Sequence, residues 1–266
     1  MIALTRTVTA ELRKLLTLPG IWIALAVTVL GSVAITLLNA LMQRDAVLAG
    51  DTSRLADTST FESSFAAAPV IGVVGSVVIG ALAIGSEYTA DRAESGGARQ
   101  IATSLSATPN RWLLFTSKLV VVTLLTVVSA AVSIPGNYAI ALAVTRGLGT
   151  ETVTLDEAVA RSLGAALYWL LMGLIAFAIT ALAGSAMIPL AVLITNSSVV
   201  PFSLLLSHVT PLAEWLPDAA GRKLFGFPDQ LVVQGNLDTL TGGLAMAAWA
   251  IALVTAAGIV FHRRDA

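Results

Sequence analysis

The residues best suited to ionic chemistry lie in one polar stretch, residues 84–118, which is set between two long apolar runs. By contrast, residues 163–207 contain no charged side chain. The charged residues of the stretch are Glu87, Asp91, Arg92, Glu94, Arg99, Arg111 and Lys118. We interpret it as the one large polar segment that a mostly apolar chain has kept for contacts outside the membrane.

Motifs for enzymatic catalysis are absent from the sequence. No Gly-x-x-x-x-Gly-Lys-[Ser/Thr] loop occurs, and none of the three lysines, Lys14, Lys118 and Lys223, lies in a phosphate-binding loop. His208 and His262 lie at the ends of apolar runs, so they indicate neither a His-Glu-x-x-His zinc site nor a histidine base. We therefore expect no catalytic site, no metal site and no bound cofactor in this chain.

Composition indicates an integral membrane protein. Hydrophobic residues make up 56% of the chain and charged residues 12%, with a mean hydropathy of +0.87, whereas globular proteins average about 25% charged residues. Lipid accommodates only helices of about 20 apolar residues or closed barrels, and the apolar runs here are too long for barrel strands of roughly 10 residues. The predicted fold is therefore all-α. The chain has no cysteine, and its net charge of -1 does not indicate nucleic-acid binding.

Residues 1–20 are predicted to form an amphipathic interfacial helix. Six apolar residues fall on one arc if residues 4–18 are helical, namely Leu4, Val8, Leu12, Leu15, Leu16 and Leu18, with Arg6 and Arg13 opposite. Glu11 lies at the edge of that arc. It is either a solvated or locally paired charge, or a contact to a partner subunit. The first apolar run is longer than the 7–15-residue apolar region of a signal peptide, so we expect it to stay as a span.

Six transmembrane helices in a single domain covering residues 1–266 are predicted from apolar length. They are residues 21–41, 69–85, 113–144, 163–183, 187–207 and 241–261. Residues 86–112 form a polar loop between the second and third spans, and residues 208–240 separate the last two. Pro135 is expected to kink the third span.

Small and polar residues inside the spans have two kinds of predicted role. Gly72, Ser76 and Gly80 recur every fourth residue and favour close helix packing. A polar cluster formed by Asn196, Ser197 and Ser198, and also Asn137 in the third span, lies at mid-depth, where such residues either join helices or face a translocation path. For the cluster and for Asn137 we predict a position near the path or the dimer seam.

The distribution of Lys and Arg predicts the orientation. With both termini, residues 86–112 and Lys118 on the cytoplasmic side, nine of the 15 basic residues lie inside, as the positive-inside rule prefers. We therefore expect a multi-pass protein of the bacterial plasma membrane with both termini in the cytoplasm.

Short motifs along the chain resemble those of the ABC-2 type permeases, the membrane subunits of a class of bacterial ATP-binding-cassette exporters. The motifs are Glu87-Tyr88, Gly96-Gly97-x-Arg99-Gln100, Leu105-x-x-x-Pro109-x-Arg111, Thr9-Ala-Glu-Leu-Arg-Lys-Leu15, Trp215-Leu-Pro-Asp-Ala-Ala-Gly221 and Phe261-His-Arg-Arg-Asp265. Residues 89–97 depart from the tighter Glu-Tyr-x-x-Gly-Thr of many members, being longer and more acidic.

The resemblance implies that residues 86–112 contain a coupling helix, which docks on a separate ATP-binding subunit that holds ATP and Mg. It implies two permease copies, as a homodimer or a heterodimer, and two ATP-binding subunits. Residues 208–240 would form an extracytoplasmic re-entrant region, and the alternative is an interfacial loop anchored by aromatic residues. The residues expected to couple to the ATPase are Glu11, Glu87, Asp91, Arg92, Glu94, Arg99 and Arg111.

The lack of an energy source within the chain also indicates a separate ATPase, independently of the family resemblance. The apolar centres carry no ionisable residue if Lys118 extends to the membrane surface, so no ion relay accompanies the missing ATP site. A transporter of this kind needs a separate ATPase. The alternatives are an ATP-independent channel or carrier and, from another class, a membrane-embedded enzyme or assembly factor. A path lined by Ser, Thr, Asn and aliphatic residues suits an amphipathic substrate such as a peptide antibiotic or a drug.

Overall fold

The computed structural model describes residues 2–50, 59–89, 100–148, 151, 153–198, 201–226 and 237–264. Helices are the regular elements throughout these ranges, and no strand occurs in them, which confirms the all-α prediction. Among the described residues, four helices are long and apolar enough to cross a membrane: Pro19–Ala49, Arg111–Thr145, Leu155–Ala183 and Thr239–Arg263. The protein is therefore membrane-embedded, as its composition predicts.

The helices are numbered in chain order. They are α1 (Ile2–Leu16), α2 (Pro19–Ala26), α3 (Ser32–Ala49), α4 (Thr60–Phe65), α5 (Val73–Gly85), α6 (Gln100–Ala107), α7 (Arg111–Thr145), α8 (Leu155–Ala183), α9 (Met187–Ser198), α10 (Phe202–Ser207), α11 (Pro217–Arg222) and α12 (Thr239–Arg263). A π-helical turn, Val27–Gly31, joins α2 and α3 into one rod. A second π-helical turn, Ala68–Gly72, precedes α5, and short 3-10 turns occur at Ser86–Tyr88, Pro211–Trp215 and Lys223–Phe225.

Local sequence signals explain where the long helices begin. Pro19 is the first residue of α2, where its missing N–H costs no hydrogen bond, so it separates α2 from α1. The side chains of Asn110, Thr154 and Asp238 each accept a hydrogen bond from the backbone N–H three residues later, at the starts of α7, α8 and α12. The three later spans thus start at capped ends.

The predicted second and fifth spans differ from the four long helices. The second is a short apolar helix, and the predicted span 187–207 divides into α9 and α10. Pro201 precedes α10 and has no N–H to continue the helix. The side-chain oxygen of Asn196 accepts a hydrogen bond from the Phe202 N–H at 2.7 Å and so bridges the break. Four full-length spans are therefore supported, and the six-span arrangement stays a prediction.

Helix α8 is the central element of the bundle, because it is the most buried of the four long helices. Tyr168, Trp169 and Phe177 on α8 are almost completely buried, and the Trp169 indole N–H donates to the Ala68 carbonyl at 2.9 Å. Two apolar clusters form around α8, one containing Trp169 and the other containing Phe177. The core thus extends along the length of α8.

The small residues of the second predicted span lie against α8. A Cβ atom at Gly80 would overlap the carbonyl of Gly173, and one at Gly72 would overlap the indole ring of Trp169. Ser76 is buried between them, and its hydroxyl donates to the Gly72 carbonyl at 3.0 Å. The absence of larger side chains therefore allows α5 and α8 to meet backbone to backbone.

Two arginines bind backbone carbonyls at the C-terminal ends of α8 and α12, at one end of the bundle. The Arg111 guanidinium donates to the carbonyls of Phe261 and Arg264, at 3.2 and 2.6 Å. Arg264 in turn donates to the carbonyls of Ala181 and Leu182, at 2.9 and 2.5 Å. Cations at helix C-termini satisfy unpaired carbonyls and complement the helix dipole. We call this the loop end, since both flanks of residues 86–112 lie here.

Arg161 joins three elements at the opposite end. Its guanidinium binds Glu62 through two hydrogen bonds of 2.6 and 3.1 Å, and its Nε donates to the Phe225 carbonyl at 2.8 Å. The guanidinium carbon also lies 5.2 and 5.3 Å from the ring centroids of Phe61 and Phe65. Such cation–π contacts add to the ion pair, so Arg161 holds α4 and the Lys223–Phe225 turn against α8.

Replacement of Arg161 by methionine should lower the free energy of unfolding by about 2 kcal/mol, because charged hydrogen bonds of this kind contribute on that order. Unfolding of the purified chain in mixed detergent, followed by circular dichroism, measures the change. Arg6→Met, on an exposed face of α1, is the matched control. Equal stability of the two variants would show that the Arg161 contacts do not hold this end together.

Candidate functional site

The candidate site is a group of buried charges at the loop end, centred on Lys118. The Lys118 side chain is completely buried in α7. Its ammonium nitrogen lies 2.5 Å from a carboxylate oxygen of Glu11 and 2.7 Å from one of Glu87. It also donates to the Ala83 carbonyl at 3.2 Å. Lys118 therefore joins α7 to α1 and to the end of α5.

Lys14 extends this group to α6. Its ammonium lies 2.5 Å from the same Glu87 oxygen that binds Lys118, and it donates to the Ser104 hydroxyl at 3.0 Å. We call Glu11, Lys14, Glu87, Ser104 and Lys118 the charge network. It contains two carboxylates and two ammonium groups, so its formal charge is balanced.

Local structure explains how α1 supplies two members. Glu11 and Lys14 are three residues apart, and residues at this spacing lie on the same face of a helix. Leu15 beside them is completely buried, and Val8 and Leu12 pack against the same apolar cluster. Much of the apolar arc that we predicted to lie in the headgroup boundary thus packs on the protein itself.

The other members come from the flanks of the loop. Glu87 lies in the Ser86–Tyr88 turn directly after α5, and Ser104 lies on α6. Lys118 is seven residues from the start of α7, about 10 Å along the helix. The network therefore connects α1 to residues 86–112 and to α7, and the hydrogen bond from Lys118 to the Ala83 carbonyl adds the end of α5.

Burial makes this network energetically sensitive. A buried charge without a partner is strongly destabilising, whereas a balanced and hydrogen-bonded set is tolerated. Glu87 is completely buried, and one of its oxygens, Oε2, has no hydrogen-bond partner among the described residues. The arrangement thus depends on both lysines staying in place.

The structure changes the interpretation of two predicted residues. Glu11 has its partner within the chain, which is the locally paired alternative of the sequence prediction. The expectation that Lys118 extends to the membrane surface is wrong, because its ammonium ends between Glu11 and Glu87 inside the protein. The two carboxylates neutralise the charge, so the side chain has no need to reach water.

Of the other predicted coupling residues, Arg111 lies at the loop end with its guanidinium on carbonyls at the end of α12. Four residues fall outside the described part of the chain: Asp91, Arg92, Glu94 and Arg99. Their role at an ATPase stays a prediction. The structure thus brings Glu11 and Glu87 together and places Arg111 in a separate set of contacts.

The residues predicted near a translocation path have different surroundings. Asn137 is buried, and its side-chain oxygen accepts a long hydrogen bond of 3.5 Å from Ser32. Asn196 is buried and bridges α9 to α10, while the side chains of Ser197 and Ser198 are outside the described part. Local helix contacts therefore account for both asparagines, and a path role stays a prediction.

Sequence reasoning missed Lys14, Ser104 and Arg264 as contributors at the loop end. The spacing of Glu11 and Lys14 was an available signal, because a carboxylate and an ammonium three residues apart face the same way. Nothing comparable marks Ser104 or Arg264, whose partners come from distant segments.

The charge network forms ion pairs between segments of the protein. No group of His, Cys, Asp or Glu side chains that could hold a metal occurs among the described residues. The two lysines and two carboxylates bind one another, so they are engaged in contacts within the protein. The network can therefore transmit movement between helices, because displacing one segment strains ion pairs to the others.

Comparison with known proteins does not name a family. No family model matches the chain, and no curated protein matches its sequence.

Proposed function

We propose that this chain is the permease subunit of an ATP-driven exporter, powered by a separate ATP-hydrolysing subunit that docks at the loop end. In this proposal the loop end faces the bacterial cytoplasm. The observation that carries it is the charge network, which ties α1 to residues 86–112 and to α7 through buried ion pairs.

The network offers a route for force. A push on α6 would act on Lys14 through Ser104, and a push on the Ser86–Tyr88 turn would act on Lys118 through Glu87. Helix α5, which ends at this turn, packs closely along α8. Movement of the loop would therefore tilt α1, α5 and α7 together and pass to the central helix.

The exposed side of α1 is the proposed additional docking surface. Arg6 and Arg13 are exposed there, and with Thr9 they border a shallow groove. Glu11 and Leu15 on the other side hold α1 against the bundle. An acidic surface on the ATPase would fit this basic face, and its movement would reach Lys118 through Glu11.

In the proposed complex, two copies of the permease pair with two ATP-binding subunits, which hold ATP and Mg. The permease copies form a homodimer, with a heterodimer as the alternative. The substrate moves outward and is an amphipathic molecule such as a peptide antibiotic or a drug. The competing function is an ATP-independent channel or carrier, which would be active as the isolated chain.

Charge reversal at Arg92 and Arg99 together tests the docking proposal. We expect coupled transport by the reconstituted complex to fall at least about tenfold, because juxtaposed like charges at an interface cost several kcal/mol. ATP hydrolysis should continue without transport of a fluorescent amphiphile. Arg44→Glu with Arg146→Glu, on the opposite side of the predicted topology, is the matched control. Unchanged assembly and transport in the Arg92/Arg99 variant would reject the docking site.

A further inference from the structure

An elongated cavity of about 660 Å³ lies between α4, α7 and α8, away from the charge network. Its walls are mostly apolar and include Phe65, Ile134, Ala166 and Trp169. Volumes of roughly 300–1,000 Å³ with apolar walls and a few polar groups are typical of small-molecule sites. The cavity is therefore large enough for a ligand of that class.

The cavity follows the two helices lengthwise. On α7 its lining extends from Val127 to Tyr138, which is about 16 Å at the rise of an α-helix. On α8 it extends from Leu155 to Trp169, about 21 Å by the same rise. This shape fits a single extended hydrocarbon chain better than a compact ring system.

Glu151, Tyr138 and Asn137 supply oxygen acceptors at one end of this cavity. Glu151 lines the cavity beside Tyr138 and Asn137, at the end where α7 leads into α8. Further along the lining, Pro135 has no N–H, so the Ala131 carbonyl loses its helical partner. The described lining residues include one charged side chain, Glu151, and no Lys or Arg.

We propose that this cavity binds a single-chain cationic amphiphile, with its ammonium group at Glu151 and its hydrocarbon chain along the apolar wall between α7 and α8. Charge complementarity selects this occupant. The acceptors suit a group that only donates, and a carboxylate at the mouth repels the phosphate of a lipid headgroup. This inference does not rest on the exporter proposal, because it requires only equilibrium binding.

Binding of dodecylammonium to the purified chain in nanodiscs tests the site, with dodecanol as the uncharged probe and empty nanodiscs to subtract partition into lipid. We expect saturable binding of dodecylammonium. Glu151→Gln should weaken it by about tenfold, the change that loss of a charged hydrogen bond of roughly 1.4 kcal/mol produces. Dodecanol binding should not change in this variant.

Two further variants separate the site from general charge effects. Asp156→Asn removes an exposed carboxylate on α8 outside the lining and should leave both probes unaffected. Ala166→Leu narrows the cavity and should weaken both. Equal affinity for the two probes, or equal losses of dodecylammonium affinity in Glu151→Gln and Asp156→Asn, would overturn the proposal. A lack of saturable binding would also overturn it, and this is the result expected if a second copy of the chain fills the cavity.

Discussion

Replacement of Lys118 by methionine is expected to destabilise the protein by about 3–5 kcal/mol, because it leaves buried carboxylates without their cation. Lys118 is completely buried and is the partner of Glu11 and one of two partners of Glu87. Methionine keeps most of the side-chain volume, so the loss of stability measures the effect of removing the charge. Unfolding of the purified chain in mixed detergent, followed by circular dichroism, measures it.

A second substitution tests the explanation. Lys118→Met combined with Glu11→Gln leaves the Lys14–Glu87 pair, which is balanced, so more than half of the lost stability should return. Arg6→Met, on the exposed side of α1, should change the stability by no more than about 0.5 kcal/mol. A double variant as unstable as Lys118→Met alone would show that the network does not act as paired charges.

Replacement of Gly80 by leucine should destabilise the protein by at least about 3 kcal/mol, since overpacking at a rigid contact forces the backbone to move. Even the first carbon of the new side chain would overlap the Gly173 carbonyl of α8. A carbonyl cannot rotate away as a flexible side chain can. The yield of folded, monodisperse protein and its unfolding in mixed detergent measure the effect.

Gly136→Leu provides the matched control in another apolar helix. A Cβ atom at Gly136 meets nothing within 4 Å, and loss of a helical glycine is favourable by about 1 kcal/mol. This variant should be as stable as the original chain or slightly more so. Equal behaviour of the Gly80 and Gly136 variants would contradict the close contact between α5 and α8.

The helical class and the long spans were predictable because they depend on local composition. A run of about 20 apolar residues indicates a span whatever surrounds it. The break after α9 was harder to predict, because the run 187–207 is long enough for a span although it contains Pro201. The small-residue period at Gly72 and Gly80 predicted close packing, but it could not name α8 as the partner.

The charge network depends on contacts between distant segments, which the sequence does not reveal. Glu11 and Lys118 are 107 positions apart, and Lys14 and Glu87 are 73 apart. The sequence places Glu11 at the edge of an apolar arc, where a carboxylate needs a partner, and predicts that Lys118 extends to the membrane surface. Only the folded structure shows that these two side chains form an ion pair with each other.

The central claim is that a separate ATP-hydrolysing subunit engages the loop end, and site-directed crosslinking of the native complex tests it most directly. The chain has no cysteine, so Arg13→Cys on α1 and Asp156→Cys on α8 each introduce one reactive thiol. After isolation from native membranes, we predict that the complex hydrolyses ATP and that the hydrolysing subunit crosslinks to position 13 and not to position 156. A chain that isolates alone and transports without ATP hydrolysis, or an ATPase that crosslinks at position 156, would contradict the claim.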